Sequence, residues 1–240
     1  MMHSNDKPAN TIRLFRTSLH QCSYKESEKA ATVFVDPELL IDKRLNSKMS
    51  DLGYRRSGAH LYRPDCDHCS ACISCRVPVF DFVFSRRHRR VMKQNSCLSV
   101  VEQTDFSSEM VFDLYRRYVD KRHRGGEMFP ASDEQFRAFI KTKAVDTRFF
   151  LFYENQELLA VSVVDLLERG LSAVYTFFEP DLPKRSLGNF VILWQINKCR
   201  ELGLPYLYLG YWVKGCRKME YKSKFRPLEI LTYGNWTKAS

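Results

Sequence analysis

Three strand-like apolar runs stand back to back in this chain, TRFFLFYE, LLAVSVVDLL and LSAVYTFFEP, separated only by Asn155-Gln156-Glu157 and by Glu168-Arg169-Gly170. Gaps of that length close hairpins, so this stretch commits the chain to an antiparallel sheet. What surrounds the runs narrows the choice further. CLSVVEQ, opened by Cys97, reads as a strand. A helix is expected from Ser107 to about Arg122, with Met110, Val111, Phe112, Leu114, Tyr115 and Tyr118 on its apolar face, and a second begins at Ser132, an N-cap followed by Asp133 and Glu134. Beyond the runs, a helix from about Leu187 to Leu202 ends at Gly203, which can supply a left-handed cap. The strand PYLYLGY, a basic segment and LEILTYG follow.

Strand, two helices, three antiparallel strands, helix, strand, short helix and strand is the order found in the GCN5-related acyltransferase (GNAT) fold. The expectation is an α+β protein with an acyltransferase-like domain over residues 97–240 and a smaller N-terminal α/β domain over residues 1–96 that carries a cysteine cluster. In that fold two central strands splay and the wedge between them admits the acyl donor; here they would be LSAVYTFF and PYLYLGY. In the N-terminal part TIRLFR, ATVFVD and HLYRP read as strands, Pro37 is expected to start a helix towards Leu52, and Ser85 to Lys93 is expected to form a basic connecting helix.

The segment from Tyr206 to Pro227 combines a strand of period two with Lys214, Arg217, Lys218, Lys222, Lys224 and Arg226, interleaved with Trp212, Tyr221 and Phe225. Rings that stack and cations that meet phosphate or carboxylate suit a nucleic-acid end or an acidic peptide. Its wording, LYLGYW, Lys218-Met219, Tyr221-Lys222 and Phe225 with Pro227 and Glu229, closely resembles the C-terminal signature of the aminoacyl-tRNA–protein transferases, the arginyl and leucyl transferases of the N-degron pathway. Cys22-Ser23-Tyr24, Arg55-Arg56-Ser57-Gly58 through Tyr62-Arg63-Pro64, Arg122-His123 before Gly125-Gly126, and Leu171 to Tyr175 resemble further landmarks, so the likeness runs from about Leu14 to Trp236.

A formal charge of +10 and a pI near 9.2 suit an anionic partner such as RNA. The sequence offers no apolar run long enough to span a membrane and no secretory signal, so a cytoplasmic protein is expected. Eight cysteines are then thiols or metal ligands, not disulfides. Cys66, Cys69, Cys72 and Cys75 stand at three-residue steps, and a centre built by Cys22 with Cys66, Cys69 and Cys72, holding zinc or an iron–sulfur cluster, is one expectation; reduced thiols packing a small domain are the other. Lys25 stands where relatives with such a centre carry the second cysteine of the first pair. Two basic stretches, Arg86, Arg87, Arg89 and Arg90, and Lys121, Arg122, His123 and Arg124, are expected to bind tRNA through its phosphates.

The resemblance implies attack by a protein's N-terminal amine on the ester of aminoacyl-tRNA, with no cofactor required for transfer. The bacterial branch of the family implies leucyl-tRNA as donor and N-terminal Asp or Glu on the acceptor. Tyr211, Glu220 and Asp165 are candidates for proton handling; Arg76, Lys222, Lys224 and Arg226 for pairing with the acceptor carboxylate; Phe177, Phe178, Phe190 and Trp194 for an apolar leucine pocket. Three alternatives remain open: an arginyl transferase, a coenzyme A-dependent N-acetyltransferase, for which Lys184 to Asn189 offers only one glycine as a phosphate cradle, and a non-catalytic RNA-binding metal module.

Overall fold

The computed structural model describes residues 12–25, 27–104, 108–126, 128–140 and 145–239. The N-terminal part contributes β1 (Leu14–Arg16), β2 (His20–Gln21), β3 (Lys29–Ala30), β4 (Thr32–Val35), α1 (Lys43–Asp51), β5 (Arg55–Ser57), β6 (His60–Pro64), β7 (Cys72–Pro78) and α2 (Arg86–Gln94). There follow β8 (Ser99–Gln103), α3 (Glu109–Arg122), α4 (Asp133–Ile140), β9 (Thr147–Glu154), β10 (Glu157–Leu166), β11 (Gly170–Phe178), α5 (Leu187–Glu201), β12 (Tyr206–Val213), β13 (Glu229–Thr232) and β14 (Asn235–Lys238). From β8 onward this is the element order expected from the sequence, with a 3-10 turn, Glu220–Lys224, inside the basic segment. The mixed α/β fold is thereby established.

The main sheet has eight strands in the order β14-β13-β7-β12-β11-β10-β9-β8. Its pairings are antiparallel except for β11 with β12. Helix α5 supplies Phe190, Val191, Leu193 and Ile196 to a core on one face, while Val111, Leu114, Tyr115 and Val119 of α3 and Phe136 of α4 pack with Phe149, Val161 and Phe177 on the other. Each such side chain contributes roughly 1.5–3 kcal/mol when fully buried, so the helices fix the sheet from both sides. A second sheet, β1-β4-β6-β5, closes over Val33, Val35, Ile41, Met49, Tyr54 and Leu61.

Several expectations change on contact with the structure. Strand β7 comes from the part of the chain that the sequence reading set off at residue 96, yet it lies inside the main sheet between β12 and β13. The cysteine run is therefore not all loop: Cys72 and Cys75 belong to β7. Pro37 does not start α1; Asp42 caps it, accepting a hydrogen bond from the Leu45 amide at 2.7 Å. Side-chain capping at Asp42 satisfies an amide that Pro37, lacking an acceptor side chain, cannot. Ser85 caps α2 as a basic helix, and Ser132 accepts from the Gln135 amide at the start of α4. Ser107 lies outside the described residues. Strand β14 follows a turn in which Tyr233 and Gly234 both take positive φ. Among the described residues no helix is long and apolar enough to cross a membrane.

Candidate functional site: a seam between parted strands

Strands β11 and β12 run parallel and pair only at Gly170 with Tyr206, Leu171 with Leu207 and Ser172 with Tyr208. Beyond those pairs they part, although β11 continues to Phe178 and β12 to Val213. Burial registers the opening. Leu171 and Ser172 are buried, whereas Ala173 to Thr176 are only half-buried although they lie on an interior strand. β12 bulges away at the same level, its register against β7 shifting between Tyr208 and Gly210. Gly210 has φ +82°, a left-handed conformation that strains any residue with a Cβ. The wedge thus lies between the strands that the sequence reading named.

Two cations sit where the strands separate. Arg55 of β5 is 8% exposed and donates through Nη2 to the Ala173 carbonyl of β11 at 3.2 Å. Lys222, in the 3-10 turn, is 5% exposed and donates through Nζ to the Tyr211 carbonyl of β12 at 2.5 Å. A Cβ at Gly210 would lie 3.4 Å from Arg55 Nε and 3.6 Å from Lys222 Nζ, so both cations converge on this point of β12. Neither forms an ion pair among the described residues. Burial, aided by the Arg55 charge and opposed by the Cys75 and Cys216 thiols, lowers the Lys222 pKa to about 8. Lys222 Nζ also lies 5.8 Å from the centre of the Tyr221 ring.

Aromatics and basic helices flank this point. Tyr118 of α3 packs edge-on against Tyr175 of β11 at 6.4 Å and Phe178 at 5.0 Å, and burial raises the pKa of both tyrosine hydroxyls. On one side, His88 of α2 stacks on Phe225, which follows the Lys222 turn, at 5.9 Å and 6°. Arg86, Arg87, Arg89 and Arg90 of the same helix are exposed. On the other side, burial and then Lys218 and Arg122 lower the pKa of His123, so Lys218 of the loop before the turn lies near the end of α3. Lys121, Arg122 and Arg124 are exposed there, Lys121 meeting Asp181 at 2.9 Å. Both basic stretches singled out in the sequence therefore border the turn that carries Lys222.

Other expected site residues have different tasks. Asp165 is completely buried, with its carboxylate taken by Arg56 Nε at 2.6 Å and Nη2 at 2.7 Å, the Thr147 hydroxyl at 2.7 Å and Asn46 Nδ2 at 3.3 Å. A carboxylate so saturated anchors β10 to β5 and α1 and is closed to an amine in the seam. Tyr211 donates its hydroxyl to the Gly53 carbonyl at 2.9 Å, and burial, then the neighbouring Tyr62, raises its pKa, so it is no proton acceptor. Glu220 is exposed at the start of the 3-10 turn. Arg76 is paired with Glu229 at 2.7 Å and Asp51 at 3.2 Å and lies 3.6 Å from the Tyr206 ring centre and 4.2 Å from that of Trp236. Its charge is already matched, which corrects its assignment to acceptor binding. Lys224 and Arg226 are exposed, and Arg226 donates to the Ala239 carbonyl.

The four expected pocket aromatics do not form one pocket. Phe177 is in the core beneath α3 and α4, whereas Phe190 and Trp194 pack on the opposite face of the sheet with Phe152 and Phe150. Consecutive strand residues face opposite ways, which separates Phe177 from Phe178. Of the four, Phe178 alone contacts Tyr118.

Residues 20–90 match the family model described as "Arginine-tRNA-protein transferase, N terminus" and residues 110–232 the one described as "Arginine-tRNA-protein transferase, C terminus". The chain belongs to this transferase family. Within the family it is 52% identical over 231 residues to the aspartate/glutamate leucyltransferase of Alcanivorax borkumensis, covering 96% of each chain. It is 48% identical over 225 residues to the enzyme of the same name from Pseudomonas syringae pv. tomato, covering 94% of this chain and 96% of that one. Among solved structures, FemX superposes with a TM-score of 0.53 at 8% identity over 92% of this chain and 85% of its own, a likeness of fold.

Against this family background two other features take their place. Gly188, the single glycine of the candidate phosphate loop, is where a Cβ would meet Phe178 Cε1 at 2.9 Å, so ring packing accounts for it. The adjoining Arg185 is engaged by Glu154 at 2.6 Å and Asn95 at 3.0 Å, which leaves little of a coenzyme A cradle. Cys22, Cys66, Cys69 and Cys72 are gathered together: burial first, then these three neighbours, pushes the Cys72 thiol up to about 12, with Lys25 opposing. Lys25 Nζ lies 3.9 Å from Cys69 Sγ, and among the described residues no three metal-ligating side chains converge to hold an ion. The gathered thiols are a soft donor set, which zinc or an iron–sulfur cluster would take as thiolates, and reduced thiols packing this part of the chain use the same contacts.

Proposed function

We propose that this member of the transferase family moves leucine from leucyl-tRNA to the N-terminal Asp or Glu of acceptor proteins in the cytoplasm, marking them for degradation. The observation that carries this reading is the seam: two strands part beside unpaired buried cations, with exposed basic helices on either side. The acidic acceptor and the leucyl donor come from the printed names of relatives about half identical over nearly the full chain.

The chemistry asks little of ionisable side chains. An ester on the 3′ ribose is already activated, and an α-amine with pKa near 8 has an appreciable neutral fraction at cellular pH. Attack forms the amide and leaves the ribose hydroxyl on tRNA, the amine's proton passing to that hydroxyl directly or through water. Holding the two reactants in line supplies the acceleration. Flanking cations on α2 and at the end of α3 hold the tRNA through phosphates, and the seam admits the acceptor.

The test is a transfer assay with leucyl-tRNA and arginyl-tRNA in parallel against peptides beginning Asp, Glu or Ala. Leucine should enter the Asp and Glu peptides and not the Ala peptide. Incorporation of arginine alone would reassign the donor, and no incorporation from either tRNA would end the reading.

A further inference from the structure

Buried charges in folded proteins are matched, because an isolated ion loses far more on leaving water than a protein's dipoles return. The other strongly buried arginines here obey that rule: Arg56 has Asp165, and Arg76 has Asp51 and Glu229. Arg55 and Lys222 do not. They are 8% and 5% exposed, share the space beside Gly210, donate among the described residues only to the carbonyls of Ala173 and Tyr211, and repel one another. Cys75, the thiol that acts most strongly on Lys222, is held protonated, since burial pushes its pKa up to about 11 and it already donates to the Gly210 carbonyl at 3.3 Å.

We propose that Arg55 and Lys222 form the subsite that reads the side-chain carboxylate of the acceptor's first residue, the incoming acid supplying the counterion that the fold withholds. This rests on the reading of the protein as a transferase for acidic N-termini and assigns the residues that select them. Depth favours a carboxylate over a tRNA phosphate. A phosphodiester is flanked by two riboses and needs an open groove, whereas these cations lie at the base of a seam between two strands, within reach of one slim side chain. The exposed arginines of α2 offer phosphates a site that needs no penetration. With its carboxylate on the pair, an N-terminal Asp or Glu would hold its α-amine roughly 4–5 Å away, the span of its own bonds, towards the mouth of the seam. Anchoring and nucleophile placement then belong to one contact. A neutral first residue would leave both cations unpaired, which is how buried polar sites reject analogues.

Arg55→Gln and Lys222→Met, assayed in the full chain with leucyl-tRNA, should lower kcat/KM for an Asp-starting peptide on the order of 100-fold while shifting the leucyl-tRNA Kd by less than about threefold. The preference for Asp over Asn at the first position should collapse with it. A preserved Asp-over-Asn ratio in Arg55→Gln would overturn the assignment, as would an equal loss of tRNA affinity, which would mean that the pair reads phosphate. A measurement on the unaltered protein decides the matter if the variants fail to fold. Acetic anhydride labelling of Lys222, followed by mass spectrometry, should slow several-fold with an Asp-starting peptide and not with its Asn counterpart; protection by tRNA alone, or by both peptides equally, would contradict the proposal. Should the unaltered protein transfer leucine to no acidic peptide, the parent reading fails; should it transfer normally while Arg55→Gln still discriminates, only this inference does.

Discussion

Arg55 and Arg56 are neighbours on β5, and their side chains leave the strand on opposite faces. Arg56 enters a closed network with Asp165, Thr147 and the Gly58 carbonyl. Arg55 enters the seam, meets one carbonyl and faces a second cation. Both are almost wholly buried, yet Arg56 has a carboxylate partner and Arg55 has none among the described residues. The lesson is that burial alone does not identify a functional cation. Burial without a counterion is what sets Arg55 apart and makes it the residue to test.

The contrast is broken most severely by removing the answer from Arg56. Asp165→Ala should cost about 3–5 kcal/mol in urea unfolding, since it strands a buried guanidinium, whereas the double variant Arg56→Met/Asp165→Leu should recover most of that loss. A cost under ~1 kcal/mol would show that the network holds nothing together.

Lys222→Met should act in the opposite direction. Lys222 releases its proton near pH 8 in the folded protein against 10.5 for a free side chain, so the unfolded chain binds more protons between those values. The contribution of Lys222 to stability should therefore climb as pH rises across that window, against the opposite drift of Cys72 and Cys75, whose raised thiols favour the unfolded chain above pH 9, so the signature is the difference between the two proteins. The variant should lack that climb and be the more stable of the two at pH 7, by on the order of 3 kcal/mol. Thermal melts of both proteins from pH 7 to pH 10.5 would check it; parallel curves would refute the buried ammonium.

Arg76→Gln sharpens the comparison from a third position. It should cost about 2 kcal/mol by leaving Asp51 and Glu229 without their partner, while the choice of Asp over Asn in the acceptor is retained. A loss of that choice would return Arg76 to the acceptor site. The smallest effect is expected at the surface. Reversing Arg87 and Arg90 to Glu should leave melting unchanged, weaken tRNA binding and flatten the plot of log K against log salt by roughly two units of slope. Unaltered binding would move the tRNA elsewhere.

Much of this was legible in the sequence where the signal is local. The periodic runs mark β9 to β12 and both flanking helices, and the order of elements implies that β11 and β12 part. The pairing of charges was not legible. Arg55 and Arg56 are adjacent and chemically identical in the sequence, and the carboxylate that separates their roles is 109 residues from Arg56. Arg76 misled for the same reason, its partners lying on α1 and β13. The aromatic residues failed as a pocket because composition cannot tell which face of a sheet a ring occupies, and α1 was misplaced because an Asp42 side-chain cap outweighed the helix-starting geometry of Pro37.

The position of β7 also sets a timetable for synthesis. This strand leaves the ribosome early, but both of its neighbours in the sheet, β12 and β13, are encoded between residues 206 and 232. Its amide and carbonyl groups must wait with open hydrogen-bonding edges until well over a hundred further residues have been made, and long-range pairings of this kind are slow to form. The nascent chain therefore carries an unpaired strand until residues 206–232 have been made, and the seam, one wall of which is β12, cannot form before then.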